Sequence, residues 1–191
     1  LSNDADTVPE PDALNHYINY FIREDSNNIA AVTANMDVQN RTTILAKSQT
    51  VEFSSIVGII KRTQKGVFGG LYAYSGANTM YRKSALIDAG LFRQDRATED
   101  ISIAWDHQLN GWLALFAPQI MFLMEVPESL KVLYNQRKRW AKGGTEVWLT
   151  NFKKIIFHPF KNIGRTLMFI DQTFSIIWSL LFWISSIIFL V

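Results

Sequence analysis

The stretch "IAAVTANMDV", residues 29–38, organises the chain around it. It is short, almost entirely apolar and followed by the polar sequence "QNRTT", which is typical of a strand that leaves a buried sheet. The spacing of apolar residues predicts an amphipathic helix before it, over residues 11–25, and a long helix after it, over residues 43–61. A strand between two helices favours an α/β arrangement of layers.

The alternation of strands and helices continues toward the C-terminus. The patterns predict strands over residues 66–74, 78–81, 112–118 and 120–126, the last two on either side of Pro118. They predict helices over residues 82–90 and 127–148, and one that begins at residues 98–100 and ends at residues 110–111. We therefore predict an α/β fold without internal repeats.

The composition limits the classes of protein to consider. Of the 191 residues, 48% are apolar and 13% aromatic, which excludes a disordered polymer. Nineteen basic residues against 17 acidic ones leave a charge of +2, too small to indicate nucleic acid as a partner. The chain has no cysteine and only three scattered histidines, so neither a disulfide framework nor a zinc cluster is expected.

The C-terminal stretch "FSIIWSLLFWISSIIFLV", residues 174–191, carries no charge. As a helix it would measure about 27 Å, close to the hydrocarbon thickness of a bilayer, and its apolar residues occupy every face. We predict a membrane helix over residues 173–191; the alternative is a buried helix of a soluble core. Residues 149–172 mix basic residues with phenylalanine and isoleucine, which is the composition of an amphipathic segment at a membrane surface.

Asp4 and Asp6 of "NDADT" are the first candidate site. At an extended strand end, residues two apart point to the same side, where two carboxylates could hold Mg²⁺ or Mn²⁺. The alternative is a solvated turn. A second candidate is "YSGANTMYRK", residues 74–83, where Gly76 permits close approach of the backbone to a ligand and Ser75 and Asn78 supply polar groups. The alternative there is an ordinary turn between strands.

A third candidate is "TED", residues 98–100, at the start of a helix. Thr98 is a good N-cap and acidic residues suit a first helical turn, so Glu99 and Asp100 could be helix-end residues only. The other interpretation is that one of them is a catalytic base.

The fourth candidate is "QRKRW", residues 136–140, within a predicted helix. Gln136, Arg139 and Trp140 stand at i, i+3 and i+4 and share one face, while Arg137 and Lys138 are expected to turn elsewhere. An amide, a guanidinium and a flat ring could bind a sugar phosphate. A solvated basic helix would not explain Trp140.

Taken in this order, the four motifs resemble those of the processive family 2 glycosyltransferases. The chain looks most like the bacterial poly-β-1,6-N-acetylglucosamine synthases, with cellulose and hyaluronan synthases more distant, and the resemblance covers nearly the whole chain. It implies a GT-A fold, a nucleotide-sugar donor, a divalent metal (Mg²⁺ or Mn²⁺) and inversion at the anomeric carbon.

The resemblance also implies residue roles. Asp4 and Asp6 would contact the metal and the donor diphosphate, and Asp100 would be the general base. Gln136, Arg139 and Trp140 would bind donor phosphates and the acceptor sugar, and Glu99 would be a supporting residue. Ser75 and Gly76 complete the set of candidate substrate-binding residues.

The family has an N-terminal half and later membrane helices that these residues do not include. We therefore expect residues 1–148 to be the C-terminal part of a GT-A domain, followed by the interfacial segment (149–172) and a truncated transmembrane helix (173–191).

The resulting hypothesis is a synthase at the cell membrane with its catalytic domain in the cytoplasm. It would transfer N-acetylglucosamine from UDP-N-acetylglucosamine to a growing β-linked exopolysaccharide. The expected partners are the UDP-sugar, the polysaccharide, the lipid bilayer and small membrane subunits, and no nucleic acid. Two alternatives stay open. One is another family 2 membrane enzyme, making a cellulose- or hyaluronan-like polymer or using a lipid acceptor; the other is a catalytically silent fragment that binds membrane or partner subunits.

Overall fold

The stretch at residues 29–38 forms the central strand of a five-stranded sheet. The computed structural model describes residues 1–190, and its sheet has the strand order β1-β4-β3-β5-β2. The strands are β1 (Ser2–Asn3), β2 (Thr7–Pro9), β3 (Ile29–Val38), β4 (Asn78–Tyr81) and β5 (Leu113–Met124). β3 pairs in parallel with β5 and antiparallel with β4, and the predicted α/β class is confirmed.

Helices cover the sheet and extend from it. They are α1 (Ala13–Phe21), α2 (Ile44–Phe53), a π-helical segment (Ser54–Ile60), α3 (Lys61–Phe68), α4 (Lys83–Asp88), α5 (Glu99–Leu109), α6 (Leu130–Ile156) and α7 (Ile163–Leu190). Residues 30–34 of β3 are completely buried, which is the burial expected of a strand covered on both faces.

Two predicted strands differ in the structure. The strands expected on either side of Pro118 are one strand, β5, whose register with β3 jumps from Ala34↔Ala117 to Asn35↔Met121. The three intervening residues bulge out of the ladder, so Pro118, which has no N–H to donate, interrupts the pairing without ending the strand.

The strand expected over residues 66–74 is wrong. α3 continues to Phe68 and ends at Gly69, whose φ of 67° is left-handed, and the following residues up to 77 form no strand. The helix predicted over residues 43–61 is present, but it becomes π-helical from Ser54 to Ile60, and α3 prolongs it to Phe68.

The last two helices form a second, smaller core with α5. Trp105, Val147 and Phe169 are buried where α5, α6 and α7 meet, and the rings of Trp148 and Phe169 stack at 5.7 Å. α6 runs past the predicted end at residue 148, to Ile156. Beyond Phe169, α7 exposes apolar side chains, and it is long and apolar enough to cross a membrane.

Candidate active site

Asp4 and Asp6 lie in the turn that joins β1 to β2. The Thr7 N–H donates to the carbonyl of Asp4 at 3.2 Å, and the side-chain amide of Asn3 donates to the same carbonyl at 2.9 Å. The Glu125 N–H donates to the carbonyl of Asp6 at 3.1 Å. The two aspartates are thus held in a hydrogen-bonded turn and not in the extended strand end that we expected, and both are exposed.

Several of the residues predicted for the site lie close enough to Asp4 to change its pKa. Although Asp4 is exposed, the surrounding protein partly desolvates its carboxyl group, and this effect, together with the carboxylates of Asp6 and Glu99, raises the pKa of Asp4. The Arg139 guanidinium lowers that pKa. Glu99 comes from the start of α5 and Arg139 from α6. The β1–β2 turn, the "TED" turn and the "QRKRW" helix therefore converge on one corner of the sheet.

Asp100 faces the turn that contains Gly76. The Gly76 N–H donates to Asp100 Oδ2 at 3.2 Å, and the Ile101 N–H donates to Oδ1 at 2.9 Å. Ser2 Oγ donates to the Gly76 carbonyl at 2.6 Å and fixes the turn from β1. A β-carbon on Gly76 would stand 3.4 Å from Glu99 Oε1 and 3.9 Å from Asp100 Oδ2, in ordinary van der Waals contact with both acidic residues. The Gly76 turn therefore lies directly beside both carboxylates.

The environment of Asp100 favours its neutral form. Burial is the largest influence and Glu99 the next, and both raise the pKa of this carboxyl; the Gly76 and Ile101 hydrogen bonds and the charge of Lys61 lower it by less. A carboxyl at a helix N-terminus would ordinarily stay strongly ionised and weakly basic. Here burial and a like charge make Asp100 a stronger base.

The polar side chains of the 74–83 stretch point inward. Ser75 is buried and its hydroxyl donates to Met36 Sδ at 3.3 Å. The amide of Asn78, also buried, donates to the carbonyls of Ala34 and Asn35. These side chains stabilise the turn from inside, so the part of the turn next to Asp100 is the Gly76 backbone.

The "QRKRW" residues are arranged around Arg137, which we expected to turn elsewhere. Arg137 donates to Gln136 Oε1 at 2.6 Å, forms an ion pair with Glu52 at 2.7 Å, and places its guanidinium 4.2 Å from the centre of the Trp140 ring. The expectation was wrong because residues 137 and 140 are themselves i and i+3 neighbours. The Trp140 ring also packs edge-on against Phe53 of α2, and it remains partly exposed.

Lys61, at the start of α3, is a residue that the sequence analysis missed. It is only 6% exposed, and burial lowers its pKa to about 8, while the charge of Asp100 acts in the opposite direction. The available signal was spacing: Phe53, Val57 and Lys61 recur every four residues on the buried side of one long helix. A lysine at such a position indicates a specific charge partner.

Gly143 and Gly144 were also missed, and they bring α6 against the "TED" turn. A β-carbon on Gly143 would stand 1.8 Å from Thr98 Oγ1, and one on Gly144 would stand 2.7 Å from the Tyr72 hydroxyl. Thr98 occupies the predicted N-cap position, but its side chain makes no capping bond and packs toward α6 instead. Nearby, Glu146 Oε2 accepts from the Ala97 N–H at 3.0 Å.

A metal ion at this corner would need ligands beyond the protein. Within residues 1–190 no three histidine, aspartate or glutamate side chains lie close enough together to hold a metal. Asp4 and Asp6 supply two carboxylates, and the negative charge that raises the pKa of Asp4 would favour a cation. Mg²⁺ is commonly bound by one or two carboxylates together with substrate phosphates, and this donor set fits that pattern.

Comparison with known proteins finds glycosyltransferases, both among family models and among individual relatives. The family model described as "Glycosyl transferase family group 2" matches residues 3–191. The poly-beta-1,6-N-acetyl-D-glucosamine synthases of Staphylococcus aureus (strain COL) and Staphylococcus epidermidis are each 38% identical over 175 residues, or 92% of this chain. The chain spans 41% of the length of these two relatives.

A solved structure resembles the fold. The mannosyltransferase PcManGT from Pyrobaculum calidifontis, in complex with GDP-Man and Mn²⁺, superimposes with a TM-score of 0.57 at 16% identity. The match covers 80% of this chain and 38% of that one. At this identity the similarity concerns the fold, which is that of a GT-A-like transferase.

Proposed function

The chain belongs to glycosyl transferase family group 2, and from that premise we propose that it is part of an inverting membrane enzyme that extends a β-linked N-acetylglucosamine polysaccharide from UDP-N-acetylglucosamine. The observation that supports this most is the convergence of Asp4, Glu99, Asp100 and Arg139 beside the Gly76 turn. The similarity to staphylococcal synthases supports the choice of sugar.

We assign the proton transfer to Asp100. A hydroxyl oxygen of the acceptor sugar attacks the anomeric carbon of the donor, the bond from that carbon to the diphosphate oxygen breaks, and UDP departs. The hydroxyl proton passes to the Asp100 carboxylate. The raised pKa of Asp100 suits this task, because a base is most effective when its pKa approaches the working pH. The backbone bonds from Gly76 and Ile101 hold the carboxylate in place.

We assign the diphosphate end of the donor to Asp4, Asp6 and Arg139. The two aspartates would hold Mg²⁺ or Mn²⁺, which supplies positive charge to the departing diphosphate. Arg139 is exposed and makes no ion pair among residues 1–190, so its guanidinium is available to phosphate oxygens. Glu99 lies near the same position, and the negative charge of its carboxylate would repel a second anion.

We assign the acceptor to the Trp140 side of the corner. Arg137 lies over the Trp140 ring and Phe53 packs against it, so only the remaining exposed part of the ring can contact a sugar. Gln136 is partly exposed beside it, with its oxygen bonded to Arg137. In the proposed arrangement Ser75 contributes by fixing the Gly76 turn, and its hydroxyl does not reach the substrate.

The membrane placement is part of the proposal. Residues 1–148 would be the catalytic part, on the cytoplasmic side where nucleotide sugars are made, residues 149–172 would lie at the interface, and residues 173–191 would enter the bilayer. Support comes from the exposed apolar side chains of α7 beyond Phe169. Small membrane subunits of the synthase would contact these helices.

Donor selectivity in the complete enzyme tests the proposal. Membranes carrying it are supplied with labelled UDP-N-acetylglucosamine or UDP-glucose in the presence of Mn²⁺, and polymer formation is measured. We expect polymer from the first donor only, and none from the Asp100→Asn variant. The Asp95→Asn variant, which removes an exposed carboxylate just before α5, is the matched control and should retain activity. Incorporation of glucose in place of N-acetylglucosamine would contradict the proposed product.

A further inference from the structure

A cavity of about 620 Å³ lies between the end of α5 and the corner that joins α6 to α7. Its walls come from residues 108–111, from the last turns of α6 and from the first turns of α7. None of the residues that we assign to sugar transfer lines it. Its size is that of an ordinary small-ligand site.

The cavity is lined by basic side chains, and no acidic side chain lies among them. Lys153, Lys154, Lys161 and Arg165 all contribute to its walls, together with His158, and no acidic residue does. Within the described residues, none of these side chains has a carboxylate within 4.0 Å. Four cations around one concavity repel one another, so an anion bound there would be stabilised by all of them.

Arg165 gives the cavity a fixed donor. Its Nη2 donates to the Trp112 carbonyl at 3.3 Å, which anchors the guanidinium, while its Nε is buried and has no hydrogen-bond partner among residues 1–190. Lys65 of α3 lies close enough that its pKa is lowered by burial and then by the charge of Arg165. A guanidinium that is held in place at the cavity wall, among further cations, can donate its accessible N–H groups to phosphate oxygens.

The rim of the cavity is apolar and lies at the base of the candidate membrane helix. Phe157 is 73% exposed and Phe160 86% exposed in the turn between α6 and α7, and Ile163 is 61% exposed at the first position of α7. Aromatic and aliphatic side chains at this place would enter the headgroup and acyl boundary, while the lysine ammonium groups reach back toward the phosphates.

We propose that this cavity binds the phosphodiester headgroup of an anionic phospholipid of the leaflet that α7 enters. The inference rests on the membrane placement proposed above, but not on the sugar-transfer chemistry. A lipid suits the cavity better than a soluble phosphate compound, because the apolar rim would contact acyl chains that a soluble anion does not have. Basic pockets beside membrane helices on the cytoplasmic side are a recognised form of lipid headgroup site.

Lipid binding by the complete protein tests this inference. The protein is purified in a neutral detergent, and its affinity for phosphatidylglycerol and for phosphatidylcholine with the same acyl chains is measured by native mass spectrometry. The double variant Lys154→Gln, Lys161→Gln removes two exposed cavity cations, and Lys47→Gln, Lys131→Gln removes two exposed cations elsewhere. Circular dichroism verifies that both variants are folded.

We expect the cavity variant to lose phosphatidylglycerol affinity by about 25-fold, at roughly fivefold for each basic side chain, and the control variant to lose little. Phosphatidylcholine should bind weakly to all forms. Equal losses in the two variants would overturn the site, because they would indicate general surface charge. Displacement of the lipid by equimolar inorganic phosphate would overturn the lipid assignment.

The lipid assay and the sugar-transfer assay test the two proposals separately. No sugar nucleotide is present in the lipid assay, so a failure of the proposed transferase function leaves its outcome unchanged. Sugar transfer can likewise be confirmed even if the lipid does not bind.

Discussion

Acidic side chains at the two ends of α5 lie in opposite electrostatic environments. Near its C-terminal end, Asp106 is buried and accepts two hydrogen bonds from Arg93, at 2.8 and 3.1 Å. Next to it His107 is fully buried, and burial lowers its pKa to about 4, so it is neutral at physiological pH. At the N-terminal end, Asp100 has only backbone hydrogen bonds, lies beside Glu99 and has a raised pKa.

This difference indicates where the fold accepts an electrostatic cost. A buried charge that is paired, or a buried group that is neutral, costs the fold little. An unpaired carboxylate in a partly buried place destabilises the fold when it is ionised. Such groups cluster at functional sites because reactivity and stability make opposite demands. The contrast between Asp100 and Asp106 can therefore be tested with activity and stability measured on the same variants.

The largest expected effect is on sugar transfer by Asp100→Asn. The change keeps the volume and the acceptor for one backbone N–H but removes the proton acceptor, so turnover should fall by about 100-fold or more. Metal-dependent UDP binding should stay largely intact, as measured by calorimetry. The same variant should have a higher melting temperature, because the raised pKa of Asp100 means that its ionisation destabilises the folded state above that pKa. Near-normal turnover would remove Asp100 from the mechanism.

The next effect is on donor binding by Asp4→Ala and Asp6→Ala. Loss of a carboxylate at the proposed metal and diphosphate position should weaken UDP binding in Mn²⁺ by about ten- to hundredfold, the range for one charged contact. Asp25→Ala removes an exposed carboxylate far along the chain and serves as the matched control. Unchanged affinity in Mn²⁺ would return Asp4 and Asp6 to the solvated-turn interpretation.

Local patterns predicted β3, β4 and most of the helices, but not β2 or the course of residues 69–77. Contacts between distant elements decided what the patterns could not. The central strand and the four motifs follow from periodicity and residue type. The inward direction of Ser75 and Asn78 depends on β3, from which Met36, Ala34 and Asn35 approach them. No local rule for turns contains that information.

The same reason explains the missed residues. Lys61 matters because α3 lies near the start of α5, and Gly143 matters because α6 approaches Thr98. A sequence shows that a lysine stands on a buried helical face or that two glycines follow a motif. It does not show which side chain from another element occupies the space beside them.

A smaller effect is expected from Lys61→Met, and it concerns pH. The charge of Lys61 lowers the pKa of Asp100, so its removal should raise that pKa and shift the acid limb of the kcat/KM profile to higher pH. On that limb the variant should be less active than the wild type at the same pH, because a larger fraction of Asp100 is protonated once the charge of Lys61 is gone. Lys65→Met, one turn further along α3, is the control and should leave the acid limb in place.

Lys61→Met should also change stability, with a defined sign. Burial lowers the pKa of Lys61 to about 8, so below that pH the folded protein holds a buried ammonium that the unfolded chain would solvate. This cost disappears as the pH rises from about 8 through the unfolded value near 10.5. The methionine variant should therefore melt at a higher temperature than the wild type at pH 7, and the difference should shrink by pH 10. A lower melting temperature at pH 7 would mean that the attraction between Lys61 and Asp100 outweighs the cost of burying the ammonium group.

The smallest expected effect is at the other end of α5. Arg93→Gln removes the two hydrogen bonds that Asp106 accepts and leaves that buried carboxylate unpaired, so the fold should lose stability. The Arg93 side chain is 35% exposed and solvent screens its charge, so we expect about 1 kcal/mol, or a fall of roughly 2–4 °C in melting temperature. Arg62→Gln, at an exposed position on α3, is the matched control.

Turnover by the folded Arg93 variant should be close to normal, because Arg93 pairs with the end of α5 away from Asp100. Opposite signs for the melting temperatures of Arg93→Gln and Asp100→Asn, with activity lost only in the second, would separate the structural end of this helix from the catalytic one. A fall in both would show that Asp100, like Asp106, serves the fold.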